Sequence, residues 1–303
     1  MSASRGLTRR NFLRLAGALG AGSLVSWRAA DYLAASGQIA NSYPLPDLTF
    51  RHARILHSTA GQAAGIGRNA LRPAWSNALI AVHQWSGDQA VLDTGLMHAR
   101  ALQPVRLKTP LPVSSLPALI EVCAGSAPIH PWCDASGPAV AVIGHHGILR
   151  ADQRQTVRGR EWLGVRSGEA FLGWTQASFW SQVSDFTDSA RRTVQISIDR
   201  SRLSLTAFGS GEPLFSVPVS IHSALPDGIH SVSQRLMEAS YPVDGLFGVP
   251  YVVEAGSFTL GGAYWHNDFG GAAEAVGPAI QMLPEAAAWL YRHLSDRDSI
   301  RIL

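Results

Sequence analysis

The sequence predicts a mainly β protein with one helix near its C-terminus. Only 16% of the 303 residues are charged, while 29 are Gly and 17 are Pro, which suits many short strands and turns better than a helical bundle. Apolar residues alternate with polar ones in short runs, at the period of two that a half-buried strand requires. The helical period appears only after Leu283. A hydrophobic content of 46% over this length can fill two or three ordinary cores.

The first 35 residues stand apart. They hold Arg5, Arg9, Arg10, Arg14 and Arg28 against the single acid Asp31, and the rest of the chain keeps 20 of the 25 basic and 21 of the 22 acidic residues. The excess positive charge belongs to this segment, so it gives no support for a nucleic-acid groove. All basic residues but Lys108 are Arg, which reads as a composition bias. Thr8-Arg9-Arg10-Asn11-Phe12-Leu13-Arg14 resembles a twin-arginine export signal, and Leu15 to Trp27 is too short and Gly-rich for a stable membrane span. A short amphipathic N-terminal helix is the alternative. The expectation is a leader over 1–35, cleaved near Ala34-Ala35-Ser36, and a mature chain in the periplasm or cell envelope with no stable membrane span.

Ser36 to Asp47 reads as a linker. From Leu48, short alternating stretches such as Ala78-Leu-Ile-Ala-Val82 and Gly95-Leu-Met-His-Ala99 read as a small β-barrel over 48–108, with its last strand near Leu102-Gln-Pro-Val105. Pro110 to Pro117 is a Pro-rich connector. A second β unit then fills 109–185, with strands at Ala139–Ile143, Trp162–Val165 and Phe171–Trp174. Trp162, Trp174 and Trp180 read as core and rim packing. His145 and His146 lie between Gly144 and Gly147. Adjacent histidines on a strand would point to opposite faces, so a turn is the better reading and no metal site is expected.

The last unit, 192–303, opens with a hairpin. Val194, Ile196 and Ile198 alternate with polar residues, as do Leu203, Leu205 and Ala207, and a third strand follows at Leu214–Val217. Leu283-Pro284-Glu285 starts a helix, Pro being tolerated in a first turn, and Ala287, Trp289, Leu290 and Leu294 give it an apolar face to about Arg297. Cys123 and Cys133 are the only cysteines. In an exported protein such a pair most simply forms one local disulfide, since a reactive pair would want Cys-x-x-Cys spacing.

The heptapeptide Tyr264-Trp265-His266-Asn267-Asp268-Phe269-Gly270 resembles the active-site loop of the L,D-transpeptidases. Other matches follow in the family's order. Ile198 to Phe208 is similar to its opening hairpin, with Leu203 in place of a Gln. Val219-Ser220 matches half of a Val-Ser-Thr-Gly turn that Ile221 and His222 do not complete. Pro226-Asp227-Gly228 fits a Thr-Pro-x-Gly turn with Leu225 in the Thr place, and Pro284 to Tyr291 fits the helix after the nucleophile. The two preceding β units resemble the tandem SH3-like modules of exported members with twin-arginine leaders. The resemblance implies two SH3-like barrels followed by a transpeptidase-like β-sandwich or barrel with a C-terminal helix.

The resemblance also implies a chemistry, and the residues withdraw it. Family members use a Cys nucleophile, a His base one strand away and backbone N–H donors for the oxyanion. Here the base position falls on Gly261. The family's spacing back from Pro284 puts the nucleophile on Ala279, preceded by Val276, Gly277 and Pro278, and no Cys follows Cys133. Pro278 also lacks an N–H beside the expected oxyanion pocket. His266 with Ser257 or Thr259 forms the alternative catalytic pairing. Otherwise Tyr264, Trp265, His266, Asn267 and Asp268 are the candidate pocket. The implied function is an exported, inactive L,D-transpeptidase-like protein that binds peptidoglycan stem peptide or an envelope protein. The alternatives are an active transpeptidase with an unconventional nucleophile and His266 as base, or a structural protein whose SH3-like units do the binding. No cofactor is implied, and no zinc-protease, P-loop or dinucleotide motif occurs.

Overall fold

In the computed structural model, residues 45–46, 48–56, 76–86, 88–93, 95–183, 194–222, 224–271, 275–296 and 298–303 are described. The leader 1–35 with its export motif and cleavage point lies outside the described residues, as does nearly all of the linker 36–47.

Two three-stranded antiparallel sheets come first. His52–Ile55 is flanked by Leu79–Ala81 and Leu102–Val105, and Gln89–Leu92 by Gln84–Ser86 and Gly95–His98. Each sheet is too small to bury both faces, so they share one core of Ala53, Ile55, Val82, Ala90, Leu92, Met97 and Leu102.

A five-stranded antiparallel sheet follows, in the order Ala170–Gln176, Arg160–Ser167, Ile148–Val157, Ala118–Val122, Trp180–Gln182. With the hairpin Ser126–Ile129/Ala141–Gly144 it encloses a second core around Ile120, Ile129, Ile143, Leu149 and Leu163. Trp162, Trp174 and Trp180 are buried, and the Trp180 indole N–H donates to Thr175 Oγ1 at 3.0 Å.

The largest sheet has nine strands, ordered Glu212–Pro218, Ser204–Gly209, Val194–Asp199, Ser299–Ile302, Gly228–Tyr241, Leu246–Ala255, Phe258–Gly262, Ile280–Met282, Ser220–Ile221. Its two end strands are separated in sequence by Val219 alone. Both ends must therefore lie side by side, and the sheet folds over on itself around a core, as in a sandwich. The helix Pro284–His293 contributes Ala286, Ala287, Trp289 and Leu290 to that core. It ends earlier than the apolar pattern suggests, because Leu294 is already extended at φ −79°, ψ 146°. Among the described residues no helix is long and apolar enough to cross a membrane.

The cores interlock. Leu48, Phe50 and Ile148 join the core of the nine-stranded sheet, and Tyr264 joins that of the five-stranded sheet. Arg54 ties all three regions. From the strand His52–Ile55 its guanidinium donates to Asn77 Oδ1 and to the Gly125 carbonyl, both at 3.3 Å, and to the Tyr264 carbonyl. Burial lowers its pKa to about 10. Gly144 permits the close fit, since a Cβ there would stand 2.1 Å from Arg54 Nη1 and 2.6 Å from Tyr264 Cδ2.

The expected disulfide is not formed: Cys123 and Cys133 are free thiols. Cys123 follows the strand Ala118–Val122, and both its backbone N–H and its thiol donate to the Phe179 carbonyl, at 3.0 and 3.3 Å. The Cys133 thiol instead faces Gln155 Oε1 at 3.6 Å. Burial raises the pKa of both, so both stay protonated.

Arg54→Met removes every donor at the joint and leaves buried carbonyls unpaired, at a cost of about 2–3 kcal/mol. Urea denaturation of the full chain measures this, and an unchanged midpoint would refute the role given to Arg54.

Candidate functional site

The segment 263–279 connects two parallel strands, Phe258–Gly262 and Ile280–Met282, in which Gly261 pairs with Gln281. Gly261, where the resemblance would place a base histidine, has no room for a side chain. A Cβ there would stand 2.8 Å from Pro278 Cγ and 3.2 Å from Val252 Cγ2. The Pro278 ring occupies the space a histidine would enter. Gly262 is equally tight, with Pro284 Cα at 2.9 Å and Pro250 Cγ at 3.1 Å from a Cβ.

Ala279, where the resemblance would place a nucleophile, is half-buried, and a methyl group has no lone pair to attack a carbonyl. The backbone around it is already engaged. The Ala279 N–H donates to Thr259 Oγ1 at 3.3 Å, and its carbonyl accepts from the His222 N–H at 3.2 Å. The Gly277 N–H donates to the Asp244 carboxylate at 2.8 Å, while its carbonyl lies 3.2 Å from His222 Nε2. Pro278 between them has no N–H. An oxyanion pocket needs N–H groups converging on one point, whereas these two serve separate side chains.

Gln281 organises the other side of the loop. It is fully buried, and its Nε2 donates to the Val276 and Pro278 carbonyls while its Oε1 faces His266 Nε2. His266 Nδ1 accepts the Asp268 N–H at 3.0 Å, so the ring carries its proton on Nε2 and donates it to Gln281. The lone pair a general base would use is held by a backbone N–H. Of the proposed hydroxyl partners, Thr259 is the acceptor for Ala279, and Ser257 is exposed at the turn before Phe258–Gly262.

Among the remaining pocket residues the Tyr264 and Trp265 rings meet edge to face at 5.3 Å, while the polar groups are bound elsewhere. Tyr264 is buried, donates its hydroxyl to the Phe247 carbonyl at 2.6 Å, and is held protonated mainly by burial. Trp265 lies against Gly277, where a Cβ would be 3.1 Å from its ring. Asn267, buried, donates to the Ala99 carbonyl at 3.0 Å, and the Asp268 carboxylate pairs with Arg100 Nε at 3.1 Å. Asn267 and Asp268 thus dock the heptapeptide onto the short turn Ala99–Ala101 of the N-terminal sheets.

Sequence reasoning gave no role in the loop to Gln281, His222 or Asp244. Gln281 does leave a trace, a lone amide between Ile280 and Met282 in a buried run. Asp244 and His222 have none, because they reach the loop from the distant turn Pro242–Asp244 and from the end of the strand Ser220–Ile221, which pairs with Ile280–Met282.

No sequence-family description matches this chain, and no curated protein does. Solved structures similar to it include an L,D-transpeptidase from Stackebrandtia nassauensis, at 14% identity over 38% of this chain and 57% of that one, with a TM-score of 0.33. Another is a fused Zn-dependent amidase/peptidase/peptidoglycan-binding domain-containing protein from Clostridium acetobutylicum, at 12% identity over 40% of this chain and 55% of that one, with a TM-score of 0.29. A third is an L,D-transpeptidase from Mycobacterium tuberculosis, at 15% identity over 63% of this chain and 86% of that one, with a TM-score of 0.33. The chain thus spans little more than half the length of the first two. Likeness at this level leaves the functional reading to the residues themselves.

Gly261→His drives a side chain into the Pro278 ring and is expected to destabilise the protein by about 1–3 kcal/mol, the usual range for overpacking. Gly261→His with Pro278→Gly should recover part of that loss. Denaturant midpoints of the two variants test the fit, and equal destabilisation would contradict it.

Proposed function

We propose that this chain is an exported, non-catalytic L,D-transpeptidase-like protein of the cell envelope that binds peptidoglycan stem peptide without turning it over. On this reading it comprises a twin-arginine leader (1–35), a linker (36–47), two SH3-like units (48–108 and 109–185) and a transpeptidase-like domain (192–303). An envelope protein is the other partner the reading admits. The heptapeptide Tyr264–Gly270 and the ordered series of matches around it carry the family assignment.

One observation carries the loss of turnover. The Pro278 ring fills the side-chain space beside Gly261, and the N–H groups on either side of it are bound to Asp244 and Thr259. Acyl transfer needs a nucleophile, a base and an oxyanion donor set together, and the positions the resemblance assigns to them hold none of the three. The alternative, an active enzyme that uses His266, has less support, because His266 is tied to Gln281 and to the Asp268 N–H.

The mature protein is expected to keep its intact mass after incubation with a carbapenem and to leave tetrapeptide muropeptides uncross-linked, while co-sedimenting with purified peptidoglycan. A covalent adduct or a cross-linked product would overturn the non-catalytic reading. Failure to sediment would overturn the ligand assignment.

A further inference from the structure

We propose that Glu121, His146 and Glu285 form a proton-operated clasp between the five-stranded sheet and the C-terminal helix, which opens on the helix side when His146 becomes neutral.

His146 sits in the turn between Ala141–Gly144 and Ile148–Val157 with φ +69°, and its side chain is 4% exposed. Its Nδ1 lies 2.6 Å from Glu121 Oε1, on the strand Ala118–Val122, and its Nε2 lies 3.0 Å from Glu285 Oε1, in the first turn of Pro284–His293. An ionised carboxylate only accepts hydrogen bonds. Both ring nitrogens must therefore carry hydrogen, and an imidazolium bridges the two acids. A neutral ring has one N–H. On losing a proton it turns a lone pair toward one of the carboxylates.

The two arms are unequal. Glu121 has the shorter contact and keeps Lys108 Nζ at 3.6 Å from its second oxygen. Glu285 has the longer contact, and its Oε2 is buried with no hydrogen-bond partner among the described residues. The Glu285 arm, which ties the helix to His146, is the one that gives way.

The surroundings reinforce the charged state. The His145 ring stands edge-on at 4.3 Å and bonds the Ala124 carbonyl at 2.7 Å. Burial, and next the charge on His146, lowers its pKa to about 3, so it stays neutral. Tyr251 feels Glu121, Arg292, Glu285 and Tyr291 and is kept protonated first by its burial. For His146, burial alone would lower the pKa. Glu285 and Glu121 outweigh it and raise the value from 6.5 to about 9. For Glu121, burial would raise the pKa, but the hydrogen bond from His146 lowers it from 4.5 to about 2.

The signs fix a pH window. The His146 contribution is complete below 6.5 and is lost as pH rises through about 9. The Glu121 contribution is complete above 4.5 and is lost as pH falls through about 2. The clasp is strongest between these limits and loses its Glu285 tie to the helix in alkaline conditions.

The test compares the full mature chain with His146→Asn, chosen because Asn tolerates a positive φ, and with Glu285→Gln as a second variant. Between pH 6 and 10 the parent's folding equilibrium should weaken by on the order of a hundredfold more than that of His146→Asn. Hydrogen exchange, corrected for its intrinsic pH dependence, should show the protection lost first in 284–293, with 194–209 retained. The His146 ring should titrate well above 7 in the parent and at lower pH in Glu285→Gln. Parallel stability profiles, an ordinary imidazole titration, or a uniform loss of protection would each overturn the proposal.

Discussion

The buried guanidinium of Arg54 sets the geometry on which the rest of the molecule depends. Taking an unpaired cation out of water is costly, and the site compensates with a ring of acceptors, Asn77 Oδ1 and the carbonyls of Gly125 and Tyr264, drawn from three separate stretches of chain. Because each acceptor belongs to a different sheet or loop, the bonds form together only in one mutual arrangement. Gly144 completes the constraint by letting the Tyr264 ring and the guanidinium approach its backbone. The carbonyl of Tyr264 is thus held where the heptapeptide begins, and Asn267 and Asp268 hold it further along through Ala99 and Arg100.

That anchoring changes what the heptapeptide does. Its polar side chains serve intramolecular joints: His266 to Gln281, Asn267 to Ala99 and Asp268 to Arg100. Gly261 and Pro278 form a complementary pair, since a glycine alone would leave a side-chain-sized gap beside Val252 and the proline ring occupies it. Gln281 satisfies the carbonyls of Val276 and Pro278, which would otherwise be stranded in the interior. The space beside Gly261 is filled by the Pro278 ring and Val252. A side chain introduced at Gly261 meets that packed ring.

The cysteines show where compositional reasoning stops. Compartment and an even count favour a disulfide, yet bonding also needs the two Cβ atoms about 3.5–4.5 Å apart and suitably aimed. Cys123 is aligned by its strand toward Phe179, and Cys133 is carried by the turn after Ile129 toward Gln155. The His145–His146 pair shows the same limit. The turn was legible from the flanking glycines, but the ion triad was not, because Glu121 and Glu285 come from 25 and 139 residues away.

The sequence by itself determined the mainly β class, the alternating strands at Val194–Asp199 and Ser204–Gly209, the helix start at Pro284, and the absence of any cysteine after Cys133. These are local matters of period, turn chemistry and residue identity. Only the tertiary structure decided that the helix stops at His293, that both thiols are free, and that Pro278 fills the space beside Gly261. Each depends on which distant groups meet. Parallel pairing of Phe258–Gly262 with Ile280–Met282 brings Gly261 level with Gln281 and under Pro278. No local pattern in the chain encodes that encounter, because it arises from the folding of the nine-stranded sheet as a whole.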